Sequence, residues 1–247
     1  MKKYGLIGYP LSHSFSKKYF SEKFIKEAFD DSLVYENFEL ADLSELPDLI
    51  NSHPNLIGLN VTIPYKEKVM SFLNEIDEVA MEIGAVNTIK ITRDANGVFL
   101  KGYNTDCIGF DTSLTTLLQP HHTGALILGT GGASKAVAYV LRNKNIPCRF
   151  VSRNPGSEDL SYSSLNSELL KQYPVIINTT PLGTYPDLSR PPLPYNLLGP
   201  HNLLFDLVYN PPVTEFMNKG MEVGATVYNG YDMLVAQAEA SWMIWNL

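Results

Sequence analysis

Ala125-Leu126-Ile127-Leu128-Gly129-Thr130-Gly131-Gly132-Ala133-Ser134 joins an apolar run to a glycine cluster and the opening of a helical pattern. The apolar run reads as a buried strand, and Ser134–Lys144 as the helix that follows. Glycines at such a strand-to-helix turn let the backbone bend sharply and approach a pyrophosphate. The helix start offers unpaired N–H groups and a positive dipole end. The third glycine of the usual G-x-G-x-x-G is replaced by Ser134, though Ala133 and Ala136 keep the helix–strand contact small. Glycines also make ordinary turns, so the weight of this motif lies in the strand before it and the helix after it.

Working outward, strands and helices alternate, which is the sign of a mostly parallel sheet. Toward the C-terminus, Arg149–Ser152, Val175–Asn178, Leu203–Asp206 and Thr226–Tyr228 read as strands, and Pro181–Pro200 as loop. Toward the N-terminus, Tyr4–Ile7, Val34–Leu40 and Leu56–Val61 read as strands. Helical patterns cover Ser16–Phe29, Leu43–His53, Lys66–Leu73 and Asp77–Ile83. Thr88–Thr92 and Val98–Lys101 flank Asn96-Gly97, a hairpin signature that interrupts the rhythm. A helix over Asp106–Leu118 follows, so a domain boundary is placed near residues 102–106. The last segment, Tyr231–Leu247, reads as a long helix that returns to the first domain.

The chain has 247 residues, enough for two modest domains, with 45% hydrophobic and 18% charged residues, an ordinary globular balance. A formal net charge of −7 argues against nucleic-acid binding. Two cysteines, Cys107 and Cys148, cannot make a disulfide framework, and the five histidines are scattered, so no metal site is expected. The basic N-terminus carries too short an apolar stretch for a signal peptide, and no run approaches the roughly 18 apolar residues of a membrane span. A cytoplasmic protein without membrane or nucleic-acid partners is expected.

Hydride transfer to a ketone requires a proton for the new alkoxide, and a metal-free site must supply it from a side chain. The short-chain pattern Tyr-x-x-x-Lys occurs as Tyr19 and Lys23, before the glycine loop on a surface-type helix, and is rejected on that order. Asn60-Val61-Thr62-Ile63-Pro64-Tyr65-Lys66 sets polar groups where a parallel strand ends, the usual place for a ligand. Lys66 there, at a helix start, opposes the helix dipole, although a solvated lysine reads equally well. Asp106 in Gly102-Tyr103-Asn104-Thr105-Asp106 is either a helix N-cap or a functional carboxylate. Asn87 is either a turn residue or a ligand, and Ser16 in Ser12-His13-Ser14-Phe15-Ser16 either caps a helix or binds. After Ser152, the next strand runs into Arg153, and the first acid is Glu158. An acid at the strand end suits the ribose hydroxyl of NAD, whereas Arg153 suits a 2′-phosphate, so NADP is favoured over a merely exposed arginine.

Taken together, these segments resemble the shikimate dehydrogenase family from end to end. The likeness rests on His13-Ser14-Phe15-Ser16, Asn60 to Lys66, Gly84-Ala85-Val86-Asn87-Thr88, Tyr103 to Asp106 and the glycine loop. Asn178-Thr179-Thr180-Pro181-Leu182-Gly183 and Gly230-Tyr231-Asp232-Met233-Leu234-Val235-Ala236-Gln237-Ala238 complete it. The resemblance implies an α/β protein of two domains. Residues 1–104 with the C-terminal helix 231–247 would form a substrate-binding and catalytic domain with a mostly parallel sheet, and residues 105–230 a Rossmann-type NADP-binding domain. It implies reversible NADPH-dependent reduction of 3-dehydroshikimate to shikimate, in aromatic amino-acid biosynthesis. Ser14, Ser16 and Tyr209 would bind the substrate carboxylate, and Thr62, Asn87 and Gln237 the ring hydroxyls. Lys66 and Asp106 would form a catalytic pair across a cleft, Asp106 also touching substrate. Gly129, Thr130, Gly131, Gly132 and Ala133 would hold the pyrophosphate. Ser152, Arg153, Asn154 and Ser157 would take the adenosine end, Leu207 and Gly230 the nicotinamide side, and Glu78 would approach the cofactor.

The chain departs from the family pattern at Lys17, where a proline is usual, and in carrying one arginine in the adenosine loop. A quinate/shikimate dehydrogenase using NAD is the alternative within the family. A non-catalytic NADP sensor is the alternative outside it, disfavoured because Lys66 and Asp106 are both present. A monomer or homodimer is expected.

Overall fold

The computed structural model describes residues 1–11, 15–29 and 32–247. The chain divides into two compact units, Met1–Thr105 with Ala238–Leu247, and Asp106–Gln237.

The first unit runs β1 (Lys2–Gly8), α1 (Phe15–Lys26), β2 (Leu33–Glu39), α2 (Leu46–Ser52), β3 (Leu56–Val61), β4 (Glu75–Ile76), α3 (Glu78–Ile83), β5 (Thr88–Asp94) and β6 (Gly97–Tyr103). Its sheet has the order β2-β1-β3-β5-β6-β4. The pairs β1/β2, β1/β3 and β4/β6 are parallel, while β5 pairs antiparallel with β3 and β6. β1 and β3 are apolar on both faces because both are covered. One face packs Ile7, Leu59 and Val61 against Leu46, Ile50 and Val69. The other packs Tyr4 and Leu6 against Phe20, Phe24 and Trp245. Gly58 is required here, since a Cβ would lie 2.5 Å from the Trp245 indole, whose Nε1 donates to the Ile89 carbonyl at 3.0 Å.

Local chemistry shifts several expected boundaries in this unit. Asp94 pairs with Gly97, so Ala95 and Asn96 form the hairpin loop, one residue earlier than the Asn96-Gly97 reading. The Asp94 carboxylate accepts from the Asn96 N–H at 2.7 Å, and Gly97 supplies the positive φ of 120°. Lys66 does not start a helix. A short 3-10 turn begins at Lys68, and the Lys66 carbonyl accepts from Val86 N at 2.8 Å instead of serving a helical ladder. Ser16 lies inside the first turn of α1, one residue past its start, rather than capping it.

The second unit runs α4 (Asp106–Thr115), β7 (Ala125–Leu128), α5 (Gly132–Asn143), β8 (Cys148–Ser152), β9 (Leu160–Ser161), α6 (Ser167–Gln172), β10 (Val175–Asn178), β11 (Leu203–Asp206), α7 (Glu215–Glu222), β12 (Thr226–Tyr228) and the start of α8 (Tyr231–Asn246). Its sheet is wholly parallel, ordered β12-β11-β10-β7-β8-β9. That is the doubly wound dinucleotide-binding order, with its switch point between β7 and β10. Ile127 and Ile177 at its centre are fully buried, as both faces are covered. The β8–β9 connection, residues 153–159, carries no helix although the two strands pair in parallel. Asp106 is the first residue of α4 rather than its N-cap, and α4 ends at Thr115, short of Leu118. Helices α6 and α7 were not anticipated. Asn166 caps the first through Glu168 N and Leu169 N, and Thr214 caps the second through Met217 N.

Candidate active site

In the first unit, the polar motifs converge at the ends of β3, β5 and β6. Asn60, near the end of β3, is buried and donates to the Asn87 carbonyl (3.3 Å), Thr88 Oγ1 (3.2 Å) and Ser241 Oγ (3.0 Å). Its Oδ1 accepts from the Tyr35 hydroxyl at 2.8 Å. The Asn87 Oδ1 accepts from Thr105 N at 2.6 Å, and its Nδ2 donates to Thr105 Oγ1 at 3.0 Å. Thr88, Thr105 and Ser241 close the frame with hydroxyl contacts of 2.7 to 3.2 Å. Buried polar groups held this way fix one conformation, because each would be expensive to leave unpaired.

Several of the residues expected at the site lie on or next to that frame. Lys66, half-buried, is tied through its carbonyl to Val86, the neighbour of Asn87. Asn87 in turn holds Thr105, whose next peptide leads to Asp106. Thr62 is half-buried at the end of β3, its N–H bonded to the Ile7 carbonyl at 2.9 Å. A Cβ on Gly8 would lie 2.5 Å from the Thr62 methyl, so glycine permits this approach. Ser16 is buried, and Glu78 is exposed in the first turn of α3. Ser14 lies outside the described residues.

In the second unit, Asp106 is buried at the start of α4. Burial and the Asp106 charge push the adjacent Cys107 thiol up to about 12, so it stays protonated and is no nucleophile. Gln237 is buried in α8 and donates to the Leu234 carbonyl at 2.9 Å. Tyr209 is half-buried, and burial raises its phenol, which remains a hydrogen-bond donor at neutral pH.

The glycine loop has the shape a pyrophosphate needs. Gly129 has φ +106°, and a Cβ there would sit 2.9 Å from Thr179 Oγ1. Gly131 is the N-cap of α5, and a Cβ on it would meet nothing within 4 Å. Gly132 and Ala133 open α5, where a helix leaves its first N–H groups without intrahelical acceptors, while Ser134 N and Lys135 N reach the Gly131 carbonyl at 3.0 and 3.3 Å. Thr130 is exposed beside them. At the end of β8, Ser152 Oγ accepts from Asn154 N at 3.2 Å, and Arg153, Asn154 and Ser157 are exposed. The nearest acids down the chain are Glu158 and Asp159, and Asp159 is turned to the Gly156 N–H at 3.0 Å. The residues present therefore fit a dinucleotide bearing a 2′-phosphate. Gly230 is buried against Leu207, whose carbonyl a Cβ would overlap.

Sequence reasoning missed Tyr35, Thr88 and Ser241 in the first unit, and Asp206 and Thr214 in the second. Ser241 could have been found from its spacing, one helical turn past Gln237 on an otherwise apolar helix face. Among the described residues no group of His, Cys, Asp and Glu is placed to hold a metal ion, and no helix is long and apolar enough to cross a membrane.

One unit carries a parallel sheet with a glycine turn and the other a set of buried hydroxyl and amide groups, which together define a dinucleotide-fold protein of the two-unit α/β class. Residues 6–89 match the model of the shikimate dehydrogenase substrate binding domain. A shikimate dehydrogenase (NADP(+)) of Methanococcus maripaludis is 38% identical, over 98% of this chain and 90% of that protein. A chorismate mutase/shikimate 5-dehydrogenase fusion protein from Clostridium acetobutylicum superposes with TM-score 0.85 at 37% identity, covering 100% of this chain and 91% of that one. The shikimate 5-dehydrogenase of Thermus thermophilus, solved with NADP(H) and shikimate, gives TM-score 0.84 at 29% identity over 99% and 93% of the two chains. This chain belongs to the shikimate dehydrogenase family.

Proposed function

We propose that the chain is an NADPH-dependent shikimate dehydrogenase, reversibly reducing 3-dehydroshikimate to shikimate in aromatic amino-acid biosynthesis. The likeness over nearly the whole chain to proteins named for that activity carries the reading, and the buried polar frame that holds the Lys66 carbonyl and Thr105 supports it.

In this reading the unit built on residues 1–104 and the C-terminal helix 231–247 takes the substrate, and residues 105–230 take NADP. Ser14, Ser16 and Tyr209 bind the substrate carboxylate by hydroxyl donation. Thr62, Asn87 and Gln237 hold the ring hydroxyls. When bound, the reduced dinucleotide supplies hydride to the carbonyl carbon. The Lys66 ammonium donates the proton that the C3 oxygen gains, so ketone, hydride and proton balance to the alcohol. Asp106 orients the substrate. The first turn of α5 with Gly129 to Ala133 holds pyrophosphate. Ser152, Arg153, Asn154 and Ser157 hold the phosphorylated ribose, Leu207 and Gly230 flank the nicotinamide, and Glu78 approaches from the substrate unit. A cytoplasmic location and a monomeric or homodimeric state complete the proposal, the latter read out by light scattering.

The test follows absorbance at the reduced-nicotinamide band with purified protein, pairing shikimate or quinate with NADP or NAD. Shikimate with NADP should turn over fastest. Fastest turnover of quinate with NAD would replace this reading by a quinate/shikimate dehydrogenase using NAD, and no signal in any pairing would overturn it.

A further inference from the structure

Asp206 ends β11 with no solvent exposure, at the carboxyl edge of the sheet where such folds bind ligands. Its Oδ1 accepts from Asn178 Nδ2 at 2.9 Å and Val208 N at 3.0 Å, and its Oδ2 accepts from Thr214 Oγ1 at 2.6 Å. Asn178, at the end of the neighbouring strand β10, accepts on its Oδ1 from Thr180 N (3.1 Å) and Thr180 Oγ1 (2.6 Å). Its Nδ2 also reaches the Leu182 carbonyl at 3.2 Å. A single carboxylate thus ties together the turn after β10, the turn after β11 and the cap of α7. Val208, held by Asp206, accepts from Gly230 N at 3.1 Å, and Gly230 packs on the Leu207 carbonyl.

The glycine loop is anchored separately. Thr179 donates from both N (3.0 Å) and Oγ1 (2.6 Å) to the Leu128 carbonyl, two bonds in which the carboxylate takes no part. The two halves of the dinucleotide groove therefore have different supports. A leucine or alanine at position 206 would leave Val208 N and Asn178 Nδ2 without their acceptor, and buried donors in that state move or recruit water.

We propose that Asp206 is a positioning residue for the nicotinamide half of the cofactor, setting Leu207, Val208 and Gly230 while leaving the pyrophosphate cradle to Thr179. The proposal rests on the NADP reading above.

The experiment measures dissociation constants of NADPH and of 2′-phospho-ADP-ribose, which lacks nicotinamide, by fluorescence and calorimetric titration of the full chain. Asp206→Ala should weaken NADPH roughly 10- to 100-fold, the loss of one or two hydrogen bonds to a charged group. The fragment should change less than about twofold. Asp206→Asn keeps the Oδ1 acceptor and should recover NADPH affinity to within about fivefold of the parent. An NADPH constant unchanged in folded Asp206→Ala, or equal weakening of both ligands, would overturn the proposal. If that variant fails to fold, Asn178→Ala cuts the same link and must show the same split, and its absence there overturns the proposal too. Failure of the unaltered chain to bind NADPH would instead strike the functional reading.

Discussion

Gly131→Ala separates the fold from the cofactor cradle in one substitution. The residue has φ −83° and ψ −174°, which alanine adopts freely, and its new methyl would meet nothing within 4 Å. Loss of unfolded-state freedom stabilises by about 0.4–1 kcal/mol, while alanine is a poorer N-cap than glycine by a similar amount. The melting temperature should therefore stay within about 3 °C of the parent. The same methyl occupies the space that a pyrophosphate requires against the start of α5. Displacing the phosphate from one charge-assisted N–H bond costs about 1.5–3 kcal/mol, so NADPH should bind roughly 10- to 100-fold more weakly. Gly129→Ala makes the contrast, since φ +106° and the approach to Thr179 Oγ1 both oppose a side chain. It should lower stability by about 2–3 kcal/mol and the melting temperature by roughly 4–12 °C. Paired thermal melts and NADPH titrations give both readouts. A Gly131→Ala protein that melts normally and binds NADPH as tightly as the parent refutes the assignment of this loop.

Lys66→Ala should lower kcat by roughly 10²- to 10⁴-fold while the binding of shikimate changes little, measured by turnover and direct titration; near-normal turnover removes Lys66 as the acid. Arg153→Ala should raise the KM for NADPH at least about tenfold and leave that for NADH unchanged, a split that would vanish if the arginine were merely exposed. Burial, opposed by the hydrogen bonds from Thr214, Val208 and Asn178, pushes the Asp206 carboxyl up to about 6. A raised carboxyl contributes stability that is complete below its unfolded value of 3.8 and is lost as pH rises through about 6. Between about pH 4.5 and 7.5 the parent should lose about 2 kcal/mol more than Asp206→Asn in urea unfolding, and equal losses would contradict the shift.

The strands with one unbroken apolar run were legible to the residue. β3, β7, β10 and β11 begin and end where their patterns do, because burial on two faces keeps each run almost wholly apolar up to its boundary. Short elements were not legible. β9 and β4 are two residues each and carry no period, α6 is only six residues long, and α7, although it buries Phe216, Met217 and Gly220 on one face, spans barely two turns. Their caps, Asn166 before Glu168 and Thr214 before Glu215, were the available signal. Lys66 was misplaced because the acceptor role of its carbonyl is set by Val86, a partner far along the chain. The same limit hid Ser241 and Asp206, whose importance comes from what meets them and not from their neighbours.

Trp245 and Ser241 have a consequence for synthesis. The aromatic face of Tyr4, Phe20 and Phe24 and the hydroxyl frame around Asn60 are both finished by residues 238–247. A ribosome delivers those residues only after the whole of 106–237 has emerged. The first hundred or so residues must wait with an oily surface while the intervening unit is made. Residues 1–105 expressed alone should bind a hydrophobic dye that the complete chain excludes. For this molecule the order of manufacture is the reverse of the order of completion.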